Sequence, residues 1–312
     1  MRILISDKAH ESCARKFREA GFEVDEKTGL SPEELKAVIK DYDGLVIRSA
    51  TKITADLLST AENLKVIARA GTGLDNVDIA AATERKVVVM NTPGQNSNAA
   101  AELAVAMIFA LARHLPRACA SLKACKWEKK ALQGREIMGK TLGIVGFGNI
   151  GRIVSELARG VKMTVLAHDP YLTDDQIRQG GGEPVSFDEL LRRSDFITIH
   201  VPKTNETTGL FNTETIARMK DGAYLINCAR GGIVDEDALY EALSSGKLAG
   251  GALDVFEVEP PGEHKLLELD NFICTPHLGA STLEAQINVA VAAADQIIKY
   301  LRDGEAVNAV NV

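Results

Sequence analysis

One stretch decides how this chain folds: Leu142-Gly143-Ile144-Val145-Gly146-Phe147-Gly148-Asn149-Ile150-Gly151. Its first residues form an apolar run typical of a buried strand, and from Ile150 to Arg159 apolar side chains recur at helical spacing. Three glycines stand between the two patterns, in the order Gly-x-Gly-x-x-Gly. In such a strand–turn–helix unit, the first glycine permits a tight turn and the second lets the backbone approach a pyrophosphate. The third allows the helix to pack closely on the strand.

The residues around this turn predict a dinucleotide site. The helix predicted to begin at Ile150 presents free N–H groups and a positive dipole to phosphates. The next apolar run, residues 164–168, is followed by Asp169, eighteen residues after Gly151. An acid at that place hydrogen-bonds ribose hydroxyls and repels a 2′-phosphate, so the pattern favours NAD over NADP. The alternative is a structural glycine turn that binds no ligand.

Strand and helix patterns alternate along the whole chain. The central strands are continuously apolar, as expected when helices cover both faces of a parallel sheet. The sequence therefore predicts an α/β fold built from βαβ units with parallel sheets, of the Rossmann-like or flavodoxin-like kind. The predicted strands are residues 2–6, 44–47, 66–69, 87–90, 142–146, 164–168, 196–201, 223–228, 250–255 and 272–275.

Two long helical patterns interrupt this alternation and predict two domains with a cleft between them. The first covers residues 99–115, with cap residues 96–98 before it and Pro116 as the expected stop. The second covers residues 283–301, and we interpret the two as the connections between the domains. A length of 312 residues fits two domains. The prediction is a split substrate-binding domain, 1–95 plus 283–312, and an NAD-binding Rossmann domain, 96–282.

Composition argues against several classes of protein. Apolar types make up 46% of the chain and charged types 25%, which excludes intrinsic disorder. A net charge of −7 without a basic block argues against nucleic-acid binding. The most apolar stretch, residues 103–112, is much shorter than the ~20 residues that cross a bilayer, and no signal peptide is evident. Five cysteines without a Cys-x-x-Cys pair favour neither disulfides nor a zinc site, so we expect a cytoplasmic protein without metal.

Several polar groups follow predicted strands directly. Val201 and Cys228 end two of these strands, Arg230 comes just after Cys228, and Asp254 lies near the end of a third. Ligands of open α/β sheets bind outside the carboxyl ends of the strands. We therefore expect these residues to face the same crevice as the glycine-rich turn.

Three residues are candidates for the reacting groups: Arg230, Glu259 and His277. Oxidation of an alcohol with NAD needs a base for the hydroxyl proton, and the pKa of histidine suits that role. A carboxylate against the other ring nitrogen fixes the tautomer, and an arginine fork binds the carboxylate of a 2-hydroxy acid. Each residue alone is equally compatible with a solvated loop position. We interpret the other histidines as structural or surface residues, and keep a functional role for His200 open because its strand ends at the crevice.

At these residues the chain resembles the D-2-hydroxyacid dehydrogenase family, almost from end to end. Two of the matching segments are Asn227-Cys228-Ala229-Arg230-Gly231-Gly232 and Pro276-His277-Leu278-Gly279. The other matching segments lie within residues 46–51, 69–78, 91–93, 143–152, 233–236 and 280–282.

The resemblance implies a catalytic triad of Arg230, Glu259 and His277, with His277 as the proton acceptor. Besides the glycine-rich turn (Gly146, Gly148 and Gly151) and Asp169, the implied NAD contacts are Thr72, Asn149, Ile150, Val201, Cys228, Ala229, Arg230, Asp254, His277, Leu278, Gly279 and Ala280. The implied substrate contacts are Arg48, Ser49, Arg69, Ala70, Gly71, Thr72, Gly73, Asn96, Arg230 and His277.

Within the family, the segments are most similar to the branch that oxidises D-3-phosphoglycerate to 3-phosphohydroxypyruvate at the start of serine synthesis. Two alternatives stay open. One keeps the chemistry but uses another D-2-hydroxy or 2-oxo acid, such as glyoxylate, hydroxypyruvate or a sulfonated hydroxy acid. The other is an NAD(H)-sensing binding protein similar to the corepressors built on this fold.

The resemblance also implies a homodimer or homotetramer whose nucleotide-binding domains meet through the helix at residues 99–115. We expect the charged run at residues 126–130 either to reach the neighbouring subunit's phosphate pocket or to be a solvated loop. Longer members of the branch continue into a serine-binding regulatory domain. This chain ends at Val312, so feedback inhibition through such a domain is not expected.

Overall fold

The computed structural model describes all residues from Met1 to Val312. The chain divides into two compact units, residues 1–96 with 280–312 and residues 97–279. The sequence predicts boundaries after residues 95 and 282.

The first unit contains a five-stranded parallel sheet, whose strands are β1 (Arg2–Ile5), β2 (Glu23–Glu26), β3 (Gly44–Ile47), β4 (Val66–Arg69) and β5 (Val88–Asn91). Their order in the sheet is β2-β1-β3-β4-β5. Apolar clusters cover both faces of this sheet, which explains why its central strand β3 is buried at every residue. The helices are α1 (Ser12–Glu19), α2 (Pro32–Val38), α3 (Ala55–Ser59), α4 (Ile79–Glu84) and the C-terminal α12 (Leu283–Asp303).

The second unit contains a seven-stranded parallel sheet, whose strands are β6 (Thr141–Val145), β7 (Thr164–His168), β8 (Glu183–Pro184), β9 (Phe196–Ile199), β10 (Ala223–Asn227), β11 (Leu248–Leu253) and β12 (Phe272–Cys274). Their order in the sheet is β12-β11-β10-β9-β6-β7-β8. Strand order reverses between β6 and β9, and ligands of such sheets bind at the carboxyl ends of the strands beside this switch point. The helices are α5 (Ser97–Ala112), α6 (Leu115–Lys123), α7 (Asn149–Gly160), α8 (Asp174–Gln179), α9 (Phe187–Arg193), α10 (Thr213–Ala217) and α11 (Glu236–Ser244).

The predicted fold class, α/β with two parallel sheets, is confirmed. The sequence analysis missed two strands, β2 and β8, and both lie at the edge of a sheet. Strand β2 has the sequence Glu-Val-Asp-Glu, so it lacks the apolar run that marks a central strand. Edge strands are buried less completely by the neighbouring helices and strands, so the hydrophobic pattern in their sequence is weak.

The prediction that Pro116 stops a single long helix is wrong. Helix α5 ends at Ala112, His114 adopts a left-handed conformation with φ of 51°, and Pro116 lies in the first turn of α6. Proline fits a first helical turn because the N–H that it lacks has no helical partner there. No single helix is long and apolar enough to cross a membrane; α5 and α6 reach that length and hydropathy only together, across a bend of 62°.

Candidate active site

The glycine-rich turn follows β6, and its shape is set by close backbone contacts. Gly146 has φ of +90°, and a Cβ there would lie 2.6 Å from the carbonyl oxygen of His200. A Cβ on Gly151 would lie 2.3 Å from the carbonyl oxygen of Gly146. Packing therefore requires both glycines. A Cβ on Gly148 would meet nothing within 4 Å, so this residue leaves open space beside the turn.

The N-terminus of α7 faces that open space. Gly148 is its N-cap, and no side chain accepts a hydrogen bond from the first N–H groups of the helix. Asn149, the first helical residue, is exposed. The first N–H groups of this 12-residue helix are unpaired, and Gly148 beside them has no side chain that would block a ligand. Such a helix start fits a pyrophosphate.

Asp169 follows β7 and is fixed against the same turn. Its Oδ2 accepts a hydrogen bond from the N–H of Phe147 at 2.8 Å, and its Oδ1 accepts one from the N–H of Tyr171 at 3.0 Å. Each carboxylate oxygen retains a further lone pair, which a ribose hydroxyl can use. The position of Asp169 beside the glycine-rich turn is compatible with the predicted contact to ribose.

The segment after β9 packs against the glycine-rich turn as well. A Cβ on Gly146 would lie 2.7 Å from Cγ1 of Val201. The neighbouring His200 shares a hydrogen bond between its Nε2 and Oγ1 of Thr198 at 2.9 Å, while its Nδ1 is buried without a hydrogen-bond partner. Burial lowers the pKa of His200 to about 3, so the imidazole is neutral at ordinary pH.

Arg230 lies on a turn that a buried asparagine holds together. Oδ1 of Asn227 accepts a hydrogen bond from the N–H of Ala229, and Nδ2 of Asn227 donates to the carbonyl of Arg230, both at 2.9 Å. Nη1 of Arg230 donates to the carbonyl of Ala229 at 2.7 Å. The sequence analysis missed Asn227, although an asparagine at a strand end that bonds the backbone two residues on is a known turn signal.

Glu259 and His277, predicted as a pair, are in contact. Nδ1 of His277 lies 2.8 Å from Oε2 of Glu259. The other carboxylate oxygen, Oε1, accepts a hydrogen bond from the N–H of Phe256 at 3.1 Å. The side chains of His277 and Glu259 are 51% and 38% exposed. Since the carboxylate binds Nδ1–H, the tautomer leaves Nε2 as a proton acceptor that solutes can reach.

Asp254 holds the turn that carries His277. This carboxylate is buried, with 1% exposure. Its Oδ1 accepts from Oγ1 of Thr275 at 2.5 Å and from the N–H of Leu278 at 2.6 Å, and its Oδ2 accepts from the N–H of Gly279 at 2.8 Å. His277 itself has a left-handed φ of 55°, which costs a non-glycine residue free energy. The three hydrogen bonds hold the turn in this conformation; the predicted contact of Asp254 with NAD stays a prediction.

Cys228, another predicted NAD contact, is buried at the end of β10. Its Sγ lies 3.4 Å from Sδ of Met107, and burial raises the pKa of the Cys228 thiol. The thiol is therefore protonated and apolar in character, which excludes a role as a nucleophile at ordinary pH.

In the first unit, Arg48 directly follows β3 and Arg69 is the last residue of the adjacent strand β4. The backbone N–H of Arg48 donates to Oδ2 of Asp7 at 2.5 Å, and its Nη1 donates to the carbonyl of Lys8 at 3.2 Å. Nε of Arg48 is buried without a partner, and burial lowers the pKa of the guanidinium. Nε of Arg69 donates to Oδ1 of Asn76 at 3.0 Å. Asn76 also donates to the carbonyl of Arg48 at 2.7 Å, so one amide ties both arginine segments together.

The loop after β4 contains several of the other predicted substrate residues. A Cβ on Gly71 would lie 2.6 Å from Nη1 of Arg69, so the guanidinium rests against that glycine. Oγ1 of Thr72 donates to Oδ1 of Asn96 at 2.9 Å. Among the remaining predicted residues, Ser49 and Leu278 are exposed, Gly73 and Ala280 are half-buried and Ala70 is buried. The sequence analysis missed Asp7 and Asn76, whose roles depend on contacts between separate loops.

Comparison with known proteins identifies the family. Residues 105–279 match the family described as "D-isomer specific 2-hydroxyacid dehydrogenase, NAD binding domain". The D-3-phosphoglycerate dehydrogenase of Archaeoglobus fulgidus is 46% identical over 313 residues, which cover 100% of this chain and 59% of that protein. The hydroxypyruvate reductase of Thermotoga maritima is 50% identical over 275 residues, which cover 87% of this chain and 89% of that protein.

Solved structures agree with this result. The NAD+-bound 3-phosphoglycerate dehydrogenase of Entamoeba histolytica is similar, with a TM-score of 0.84 and 33% identity over 100% of this chain and 99% of that chain. This chain spans 59% of the length of the curated relative from A. fulgidus. Its 312 residues belong to the D-isomer specific 2-hydroxyacid dehydrogenase family, and residues 105–279 are matched as the NAD-binding domain of that family.

Proposed function

We propose that this protein is an NAD-dependent dehydrogenase that oxidises D-3-phosphoglycerate to 3-phosphohydroxypyruvate. The observation that carries the proposal is the contact of 2.8 Å between Nδ1 of His277 and Oε2 of Glu259. It leaves a histidine nitrogen as a base and places a carboxylate where it stabilises the imidazolium. The identity to a relative named D-3-phosphoglycerate dehydrogenase, over all of this chain, supports the choice of substrate.

In this proposal each reacting group has one task. Nε2 of His277 accepts the proton of the substrate hydroxyl, and Glu259 stabilises the positive ring that results. The guanidinium of Arg230 binds the substrate carboxylate as a bidentate fork. We assign Arg48 and Arg69 to anionic groups of the substrate, together with Ser49, Ala70, Gly71, Thr72, Gly73 and Asn96. NAD, when bound, supplies the hydride acceptor.

The residues that would hold NAD are those of the glycine-rich turn, the N-terminus of α7 and Asp169. The open space beside Gly148 and the unpaired N–H groups of α7 support this assignment. We extend it to Thr72, Val201, Cys228, Ala229, Asp254, Leu278, Gly279 and Ala280 as further contacts.

Asp169→Ala tests the nucleotide assignment. The substitution removes the charge that repels a 2′-phosphate, so the ratio of kcat/KM for NAD to that for NADP should fall by about tenfold or more. The measurement is steady-state turnover with each nucleotide. Asp175→Asn, an exposed acid on α8, is the control and should leave the ratio unchanged. An unchanged ratio in Asp169→Ala would show that this acid does not face the ribose.

A second substrate class has a specific observation in its favour. The T. maritima relative named hydroxypyruvate reductase is matched over 89% of its own length, more completely than the A. fulgidus relative. Reduction of hydroxypyruvate uses the same groups, with His277 donating the proton.

A substrate panel separates the two. Absorbance of NADH measures turnover with D-3-phosphoglycerate and NAD, and with hydroxypyruvate or glyoxylate and NADH. We expect the highest kcat/KM with D-3-phosphoglycerate. If that acid is among the poorest substrates while hydroxypyruvate turns over readily, the reductase function replaces the first proposal.

We also propose that the protein is a cytoplasmic homodimer or homotetramer. Phe109 on α5 and Leu115 and Leu122 on α6 are 37%, 53% and 60% exposed, which supports an apolar contact surface on these helices. Light scattering in solution should give a mass that is two or four times the 33.5 kDa of one chain. A mass of one chain would contradict this proposal.

A further inference from the structure

Glu236, the first residue of α11, bridges two donors with one carboxylate. Its Oε1 accepts a hydrogen bond from the backbone N–H of Glu257 at 2.7 Å, and its Oε2 lies 2.9 Å from Nε2 of His264. The Glu236 and His264 side chains are only 13% and 19% exposed. None of the predicted catalytic, cofactor or substrate contacts involves either residue.

The tautomer of His264 follows from its other ring nitrogen. Nδ1 accepts a hydrogen bond from the N–H of Leu266 at 3.3 Å, so the proton of the neutral ring is on Nε2. Nε2–H then donates to Glu236. The edge of the ring also packs against Phe256, with ring centroids 5.9 Å apart and planes at 66°. His264 is thus held in one orientation and in turn orients Glu236.

The bond from Glu236 to Glu257 fixes a peptide next to the predicted active site. The N–H of Phe256, one residue earlier, donates to Oε1 of Glu259. On the other side, a Cβ on Gly231 would lie 1.8 Å from the carbonyl oxygen of Phe256, so the turn that carries Arg230 packs directly on the same peptide. Glu236 therefore holds the Phe256–Glu257 peptide on which the Arg230 turn packs, and the peptide just before it, through the N–H of Phe256, holds the Glu259 carboxylate.

We infer that Glu236 and His264 are positioning residues for Glu259, and through Glu259 for the ring of His277. This role rests on the proposed dehydrogenase function. A glutamate is required because both of its oxygens accept hydrogen bonds. Glutamine would turn one acceptor into a donor and lose either the Glu257 or the His264 bond. Aspartate is one methylene shorter and would not span the two donors.

Kinetics of Glu236→Gln test the inference. We expect kcat with the best acid to fall on the order of 10- to 100-fold, as small displacements of catalytic groups do, while the KM for NAD stays within twofold. In the Glu259→Gln background the same substitution should have no further effect, because it acts through Glu259. His264→Gln, which keeps a donor for Glu236, should retain more activity than His264→Ala.

The matched control is Asp237→Asn, the next residue of α11. Asp237 pairs with Nζ of Lys265 at 2.9 Å, so it joins the same two segments of chain as Glu236 and His264. It does not contact the Glu257 peptide and is 84% exposed. Its kcat should equal that of the unaltered protein. An undiminished kcat in Glu236→Gln, or an equal loss in the Glu259→Gln background, overturns the inference.

A second readout does not depend on activity. The imidazole Cε1–H resonance of His277, assigned by its absence in His277→Gln, reports contact with Glu259 at fixed pH. We expect Glu236→Gln to shift this resonance in the same direction as Glu259→Gln, and Asp237→Asn to leave it in place. If the unaltered protein transfers no hydride from or to any acid of the panel, the proposed function fails. The resonance then decides the positioning role alone, and an unshifted signal in Glu236→Gln overturns it.

Discussion

Two strands of the second unit, β9 and β12, are followed by histidines at the same edge of the sheet, and the two ends are built differently. His200 follows β9 directly, bonds only Thr198 through Nε2, and keeps a buried Nδ1 without a partner. His277 comes three residues after β12, is half-exposed, and has Glu259 on its Nδ1. The backbone of His277 is left-handed and depends on a buried acid, Asp254. The two ends therefore share residue type and place in the sheet, and they differ in whether a carboxylate binds the ring and in whether solvent reaches it.

The largest expected effect is at the β12 end. His277→Gln removes the proposed proton acceptor, so kcat should fall by about 10²- to 10⁴-fold, the usual contribution of a general base. NADH absorbance in steady state measures the loss. His10→Gln, a substitution just before α1, where His10 bonds Ser12, controls for loss of any histidine. If His277→Gln retains more than a tenth of the activity, the two strand ends do not differ as proposed.

A smaller effect is expected where Asp254 supports the His277 turn. Asp254→Asn replaces one acceptor with a donor that faces a backbone N–H, so the free energy of unfolding should fall by about 1–3 kcal/mol. The kcat should fall too, because the turn no longer holds His277. Urea denaturation measures the first change and NADH absorbance the second. Asp270→Asn, an exposed acid near β12, should change the free energy of unfolding by less than about 0.5 kcal/mol. Equal losses in the two variants would contradict the role of Asp254.

The effect expected at the β9 end is very small at pH 7 and develops only as the pH falls. Burial lowers the pKa of His200 to about 3, below the value of about 6.5 expected in the unfolded chain. Below pH 6.5 the unfolded state therefore binds a proton that the folded state does not, and stability falls as the pH decreases toward 3. This residue should lower the free energy of unfolding by about 2 kcal/mol between pH 7 and pH 5.

His200→Asn should remove that part of the slope. Urea denaturation of both proteins at pH 7, 6 and 5 makes the comparison, and the loss of side-chain contacts at His200 cancels because each protein is compared with itself. Parallel pH profiles in the two proteins would show that His200 takes up its proton as easily when folded as when unfolded.

Much of the fold follows from the sequence, and the missed parts have local reasons. The glycine-rich turn, the central strands and the order β7 then Asp169 depend on neighbours in the chain, and the structure has all of them. The edge strands β2 and β8 were missed because their residues lack an apolar run. The sequence predicts Pro116 as a stop because a pattern of residue types does not show that the chain turns at the left-handed His114 and starts α6 at Leu115.

The candidate site, like the fold, has residues that the sequence predicts and residues that it does not. The sequence predicts Arg230, Glu259 and His277 from their places after strands, and their roles stay predictions. Asn227 carries the turn signal of an asparagine at a strand end, which was overlooked. Asp7 and Asn76 leave no such signal, because each acts through a hydrogen bond between loops that are far apart in the sequence. Two further acids lie next to the segments of the predicted triad: Asp254 accepts hydrogen bonds from Thr275, Leu278 and Gly279, and Glu236 contacts Glu257 and His264.

The alternation of strands and helices and the glycine-rich turn follow from the amino-acid sequence alone, since hydrophobic period and glycine geometry act over a few neighbouring residues. The contacts themselves, including the 2.8 Å contact of the predicted pair Glu259 and His277, depend on the tertiary structure. Glu259 and His277 are 18 positions apart, and Asp254 and Gly279 are 25 positions apart. Such pairs form only where the order of strands in the sheet brings separate loops to one edge, and that order is set by packing of the whole unit.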